Sequence, residues 1–500
     1  MLHRLKLLLL ALLVLGFVTA TRGQDYEPNW KSLSKWETPQ WFQDAVLGIY
    51  CHWGVYSVPG FRFNDGAEQV DSGLWYGWFM YVPNEKEQPN FGVYDFHREN
   101  YGAPSEFGYK DFIPLFTAEK WDPDRWAKLY KDAGADFAGV VAQFSDGFPM
   151  WDTKYDEFNA MDKGPKRDIV GEMFEAAREH GMKTIATFHE MPGEIFDAGR
   201  KLCPPGVDVN NPQYASLYEK EDSAELYNKI WEVTNKYKPD QMWFQYAYGT
   251  ENQWKSFMAH YYNMAECWGK GVTVTHKGFS APLSCSVLDL EGGSFPGGEW
   301  EWIGSDTIKK RRYQKDMPIG KYWAYAEGVG CRPVNLLVDG IIDRVSKNGV
   351  TLLDLAPKAD GTLPQAQIEG LKELGEWMKV NKKALYAARP APFIEGGADT
   401  LGTGTLRFTE KGNYLYAFEL GNSWPPTAGF SKYADSNSPT TPLLVPNIKP
   451  VKGSDIYMLG SKENLSWHME GRDLVIEELP DPLPCDYAWC FKIKIRDNQE

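Results

Sequence analysis

Cysteine is scarce in this chain: seven in 500 residues, at positions 51, 203, 267, 285, 331, 485 and 490. They are too few and too dispersed for a disulfide framework, and none has the paired spacing of a metal-ligand set. Only Cys485 and Cys490 lie close enough in sequence to form a local bridge, and they could equally stay reduced. Positive charge is also short, with a net charge of −15 and a pI near 5.2. That balance argues against nucleic acid or an anionic membrane as partner. Past the N-terminal segment no apolar run is long enough to span a bilayer, and no cysteine follows that segment to carry a lipid. The chain also lacks a Gly-X-Ser-X-Gly elbow, a glycine-rich phosphate loop, an internal repeat and a low-complexity tract. Gly402 to Thr405 reads as a turn.

What is present begins with a leader. Arg4 and Lys6 precede an apolar run from Leu7 to Val18, and Val18, Thr19 and Ala20 supply small residues for cleavage. Residues 1–20 therefore read as a signal peptide and the protein as secreted or periplasmic, with no membrane contact after cleavage. The remaining length suits one (β/α)8 barrel, residues 21–390, followed by a smaller domain, residues 391–500.

The segment from Pro114 to Glu190 organises the rest. Asp122 before Pro123 is a helix N-cap, and Trp126, Leu129, Tyr130 and Ala133 keep helical spacing until Gly134. A strand over Phe137–Phe144 follows. The next unit places Ile169, Val170, Met173, Ala176 and Ala177 on one helix face, stops at Gly181, and continues into a strand over Lys183–His189. Helix–strand alternation predicts a parallel sheet, whose chemistry collects at the strand ends. The other strand candidates are Val46–Trp53, Gln241–Gln245, Gly271–His276, Cys285–Leu290, Lys321–Tyr325 and Val350–Leu355, which completes the barrel count. Residues 57–114 form a long insertion. After residue 391 short alternating strands, such as Leu406–Phe408 and Tyr414–Phe418, predict an antiparallel β-sandwich.

Aromatic residues are abundant, with 20 Trp and 27 Tyr. Those near the expected barrel include Trp36, Trp41, Trp53, Trp75, Tyr76, Trp78, Trp151 and Trp243. Flat rings of this kind stack on sugar faces, although each is as well suited to filling a core.

The segments HWGVYSVPG, FTAEKWDPDRWAKLYKDAGA, DGF, MWDTKYDEFNAMDKGPKRDIVGE and VSKNGVTLLDLAPKADGTLP together resemble the α-L-fucosidases of glycoside hydrolase family 29. The resemblance implies the barrel, a C-terminal β-sandwich, an oligosaccharide or polysaccharide substrate, and no metal or other cofactor. It implies that His52 binds the sugar and that Trp75 can stack on it; Trp53, Tyr76 and Trp243 as aromatics near the barrel, and His189 and His276 as strand-end residues, are expected as further contacts. Glu291, in Leu288-Asp-Leu-Glu-Gly292, stands where part of the family carries its general acid/base; Glu299 and Glu301 compete for that role.

Several family positions differ. Leu74 stands where the family has an acidic residue before Trp-Tyr. Gln143-Phe144-Ser145-Asp146 replaces Lys-His-His-Asp, so the histidine pair is missing. Gln245 occupies the position of the nucleophilic Asp, and a carboxamide cannot form a glycosyl ester. The expected chemistry is then an inverting displacement with Glu291 as acid, Glu190 as base and Asp146 in reserve, Gln245 positioning water or a ring substituent. A tyrosine nucleophile, Tyr246 or Tyr248, is the less favoured route. Two readings stand: a fucosidase-type hydrolase with a remodelled site, cleaving α-linked fucose or a related galactose-configured sugar, and a carbohydrate-binding protein that has lost hydrolysis.

Overall fold

A computed structural model describes residues 25–62, 73–81, 92–189, 223–245, 249–277, 281–290, 305, 307–391, 406–420 and 439–496. The leader, Glu190, Glu291, Glu299, Glu301, Tyr246 and Tyr248 lie outside the described residues.

Eight parallel strands close into a barrel: β1 Leu47–Cys51, β2 Phe137–Phe144, β3 Lys183–His189, β4 Gln241–Phe244, β5 Thr273–His276, β6 Val287–Asp289, β7 Tyr313–Pro318 and β8 Gly349–Leu355. The helix Pro123–Asp132 is capped as expected, the Asp122 side chain accepting from the Arg125 amide. Gly134 then turns the chain at φ +96, a conformation that favours glycine. The helix Glu251–Trp268 starts on a reciprocal Thr250–Gln253 capping box. Burial along all of β2, and along β3 after Lys183, explains their near-continuous apolar runs.

One expected strand is displaced. Lys321–Tyr325 is not a strand; β7 is Tyr313–Pro318, with Asp289 paired to Gln314 and Lys315 to Thr351. The reason is that the barrel interior here is polar. Gln314 Nε2 donates to Asp289 at 2.7 Å, and Gln241 Nε2 donates to both Gln314 at 2.7 Å and Thr275 at 2.8 Å. A strand carrying Gln314, Lys315 and Asp316 looks like a loop until those partners exist, and the aromatic run after it looks like a strand. That run instead forms the loop beyond the C-terminal end of β7.

The C-terminal region forms two antiparallel sheets. The larger has the order β13 (Ile456–Met458), β16 (Trp489–Lys494), β11 (Tyr414–Glu419), β10 (Leu406–Lys411) and β9 (Arg389–Pro390); the smaller is β12 (Leu443–Val445), β15 (Asp473–Ile476) and β14 (Trp467–Glu470). Phe408, Leu415, Ile456, Trp489 and Phe491 of the first share one core with Leu443, Val445, Leu474 and Ile476 of the second, which makes a sandwich. It rests on the barrel through the buried ion pair of Arg407 Nε with Asp343 Oδ1, 2.7 Å, on the helix Val334–Ser346. Trp377 Nε1 also donates to the Ala488 carbonyl at 2.8 Å. Cys485 and Cys490 are both free thiols.

Candidate active site

Alternate side chains of a barrel strand point inward and outward, and this alternation separates the expected site residues. On β5, Thr275 bonds Gln241 inside the barrel. His276 is therefore turned the other way, its Nε2 2.9 Å from Ser286 Oγ, and burial pushes its pKa down to about 4. Trp53, one residue past His52, packs 5.1 Å from Trp126 and 5.4 Å from Trp121, and its Nε1 donates to the Lys358 carbonyl. Tyr76 is fully buried among Phe61, Phe96 and Phe112 with its hydroxyl 3.0 Å from His97 Nδ1. Thus the side chains of Trp53, Tyr76 and His276, expected as sugar contacts, are engaged by the protein here, Trp53 and Tyr76 in aromatic clusters and His276 at Ser286.

The inner group gathers at the C-terminal ends of the strands. His52 Nδ1 lies 3.0 Å from Asp354 Oδ1, and the His52 amide donates to the same oxygen at 2.8 Å. His189 Nδ1 lies 2.9 Å from Gln245 Oε1 and its Nε2 3.0 Å from Thr187 Oγ1. The two imidazoles meet edge to face with centroids 4.5 Å apart, and Trp243 lies 4.4 Å beyond His189. Trp243 Nε1 donates to Asp289 Oδ2 at 2.7 Å. Lys277 follows β5; its Nζ is 3.3 Å from Asp316 Oδ2, 4.8 Å from the Trp243 centroid and 5.7 Å from that of Trp323. Trp323, in the loop after β7, stands 5.5 Å from His52.

Electrostatics fix the protonation of this group. Burial, reinforced by the Lys277 charge, holds the pKa of His52 well below the usual imidazole range, and burial with His52 and Lys277 does the same for His189. Both rings are neutral near pH 7. Each then donates through Nδ1, to a carboxylate in His52 and to an amide oxygen in His189. Burial and the neighbouring Asp289 push the Asp316 carboxyl up to about 7.

At the end of β2 stand Phe144, Ser145 and Asp146, where the resemblance implies His-His-Asp. The Phe144 ring is enclosed by Tyr56 at 5.0 Å, Trp75 at 5.4 Å and His52 at 5.8 Å. The Ser145 hydroxyl donates to the His189 carbonyl. Asp146 accepts from the Tyr109 hydroxyl at 2.8 Å and the Phe148 amide at 3.1 Å, so both its oxygens are engaged by the protein.

Sequence reasoning missed Asp316, Asp354, Lys277, Trp323 and Tyr50. Asp354 and Lys277 carried a readable signal, a charge inside or just beyond an apolar strand. Asp316 and Trp323 did not, because β7 itself was misplaced.

A family model for α-L-fucosidase matches residues 14–383. The chain belongs to the α-L-fucosidase family of glycoside hydrolases. It is similar to an α-L-fucosidase of Branchiostoma floridae, 28% identical over 97% of this chain and 99% of that one. Human plasma α-L-fucosidase is 28% identical over 95% and 93% of the two chains. The structure of Thermotoga maritima α-fucosidase in complex with fucose superposes with a TM-score of 0.72 at 27% identity, over 94% of this chain and all of that one. The likeness to that structure spans both the barrel and the C-terminal antiparallel sheets, and in this chain His52, His189, Trp243 and Gln245 stand together at the barrel mouth. Among the described residues, no helix is long and apolar enough to cross a membrane. No group of three or more His, Cys, Asp or Glu side chains is arranged to hold a metal ion among them.

Proposed function

We propose that the protein is a secreted glycoside hydrolase of altered mechanism, acting on α-linked fucose or a related galactose-configured sugar in oligosaccharides or polysaccharides. The observation that carries this reading is the convergence of His52, His189, Trp243, Lys277 and Gln245 on one mouth, with both histidines held neutral. Neutral imidazoles and an indole face suit a hydroxyl-rich, uncharged ring. Trp75 adds a further partly buried ring beside Phe144.

Gln245 cannot be a nucleophile, so the displacement is inverting: Glu291 protonates the leaving oxygen and Glu190 takes the proton from water, with Asp146 as reserve. Asp146 is the weaker candidate, because Tyr109 and Phe148 already occupy its oxygens. The test is to supply fucose-containing and galactose-configured glycans and follow the released anomer by NMR. Inversion supports the assignment, whereas retention, or full activity of Glu291→Gln, overturns it. The engagement of Gln245 Oε1 by His189 favours a second reading, a sugar-binding protein without turnover; fucose binding with no hydrolysis of any glycan would decide for it.

A further inference from the structure

The two imidazoles at the barrel mouth are not equivalent toward a ligand. His189 is used at both nitrogens, Nδ1 by Gln245 Oε1 and Nε2 by Thr187 Oγ1. His52 is held at one. Its Nδ1 lies 3.0 Å from Asp354 Oδ1, and the same oxygen accepts the His52 amide at 2.8 Å. No described residue is bonded to its Nε2.

Asp354 reaches the mouth from β8, in register with Tyr50 of the adjacent β1. A carboxylate only accepts, so the hydrogen between Asp354 and the ring belongs to Nδ1. His52 is neutral, burial and the Lys277 charge keeping its pKa low, and a neutral imidazole carries one hydrogen. Nε2 is therefore a bare acceptor. The ring cannot turn over to exchange its nitrogens without losing Asp354, and it is boxed in by Tyr50 at 5.4 Å, Phe144 at 5.8 Å, His189 at 4.5 Å and Trp323 at 5.5 Å.

We propose that Asp354 is a positioning residue that sets substrate specificity: by holding His52 as an acceptor at Nε2, it requires the sugar to present a free hydroxyl there. A sugar whose oxygen at that place is methylated, acylated or sulfated has no hydrogen to give, and sets one lone pair against another. The substrates are then glycans in which the residue held at the mouth is unsubstituted at this position.

This inference rests on the sugar-binding reading of the mouth, and its test separates the two. Nitrogen NMR of the histidine-labelled full chain reads the tautomer without ligand. Wild type should show His52 protonated at Nδ1 and bare at Nε2, and a protonated Nε2 overturns the proposal. Asp354→Leu removes the acceptor, while the second bond of the His52 amide, to the Leu355 carbonyl at 3.1 Å, still ties β1 to β8. There His52 should move toward the form protonated at Nε2. Asp354→Asn keeps an oxygen for both donors and should restore the wild-type tautomer.

The second measurement is calorimetry with L-fucose and its monodeoxyfluoro analogues, in which one hydroxyl at a time becomes a fluorine that cannot donate. One analogue should bind wild type about 10-fold more weakly than L-fucose, the loss of one hydrogen bond. That penalty should vanish in Asp354→Leu and return in Asp354→Asn. Penalties that neither substitution alters would mean a structural role only and overturn the proposal. If L-fucose binds but every analogue binds equally well, the specificity claim alone falls. If the tautomer responds as stated but L-fucose binds none of the three proteins, the specificity claim falls together with the sugar-binding reading.

Discussion

His189 Nδ1 sits 2.9 Å from Gln245 Oε1, where a family member with Asp at this position would set an anion against the same nitrogen. The amide lets the imidazole stay neutral in a buried site, because its oxygen accepts a proton-bearing nitrogen without carrying charge. Gln245→Asp should therefore raise the His189 pKa from its depressed position, an anion favouring imidazolium. Histidine proton NMR against pH measures this, and an unmoved resonance would contradict the contact.

The same variant should not yield a good fucosidase. Phe144 and Ser145 offer a sugar no imidazole at the positions where the family resemblance implies two, and each unpaired sugar hydroxyl costs about 1–3 kcal/mol. Chromophore release from an aryl α-L-fucoside is expected to be slow for wild type and for Gln245→Asp alike. Rapid release by the unmodified protein would refute this.

Acid should destabilise the fold. His52, His97, His189 and His276 are buried, and all have folded pKa values below their unfolded value, His97 and His276 at about 4. The unfolded chain then binds more protons, so the stability they contribute is present above about pH 6.5 and is lost as pH falls toward 4. Asp316, raised to about 7, works in the opposite direction over the same range but is one group against four. Urea midpoints at pH 7 and pH 5 check the sign; equal or higher stability at pH 5 would contradict it.

Arg407→Ala should lower stability by about 3–5 kcal/mol, because it strands the buried Asp343 carboxylate at the seam between barrel and sandwich. Lys347, 2.8 Å from the same oxygen, softens the loss. Denaturant unfolding measures it, and a change under about 1 kcal/mol would show that Lys347 alone suffices.

Trp53 and Trp75 should part company under mutation. Trp53→Ala empties a site inside the Trp121 and Trp126 cluster and should cost about 3–5 kcal/mol of stability. Trp75→Ala should instead weaken fucose binding with a smaller stability change. Thermal unfolding and calorimetry on the two variants decide between these outcomes.

The sequence by itself determined what local pattern can carry. Helical spacing with Asp122 and Gly134 at its ends, and the apolar runs of β2 and β3, each depend on residues within one or two turns or one strand. His52, His189 and Trp243 were legible as strand-end residues because barrel topology sends strand ends to one mouth. Only tertiary structure decided the rest. Which face of a strand a residue occupies depends on register, and the inward turn of Thr275 sends His276 outward. Whether Trp53 and Tyr76 meet ligand or fill space depends on neighbours as remote in sequence as Trp126 and Phe112. The charge of Asp316 and Lys277 is the furthest from reach, since a carboxyl becomes an acid only when burial and a second carboxylate from another strand are brought against it.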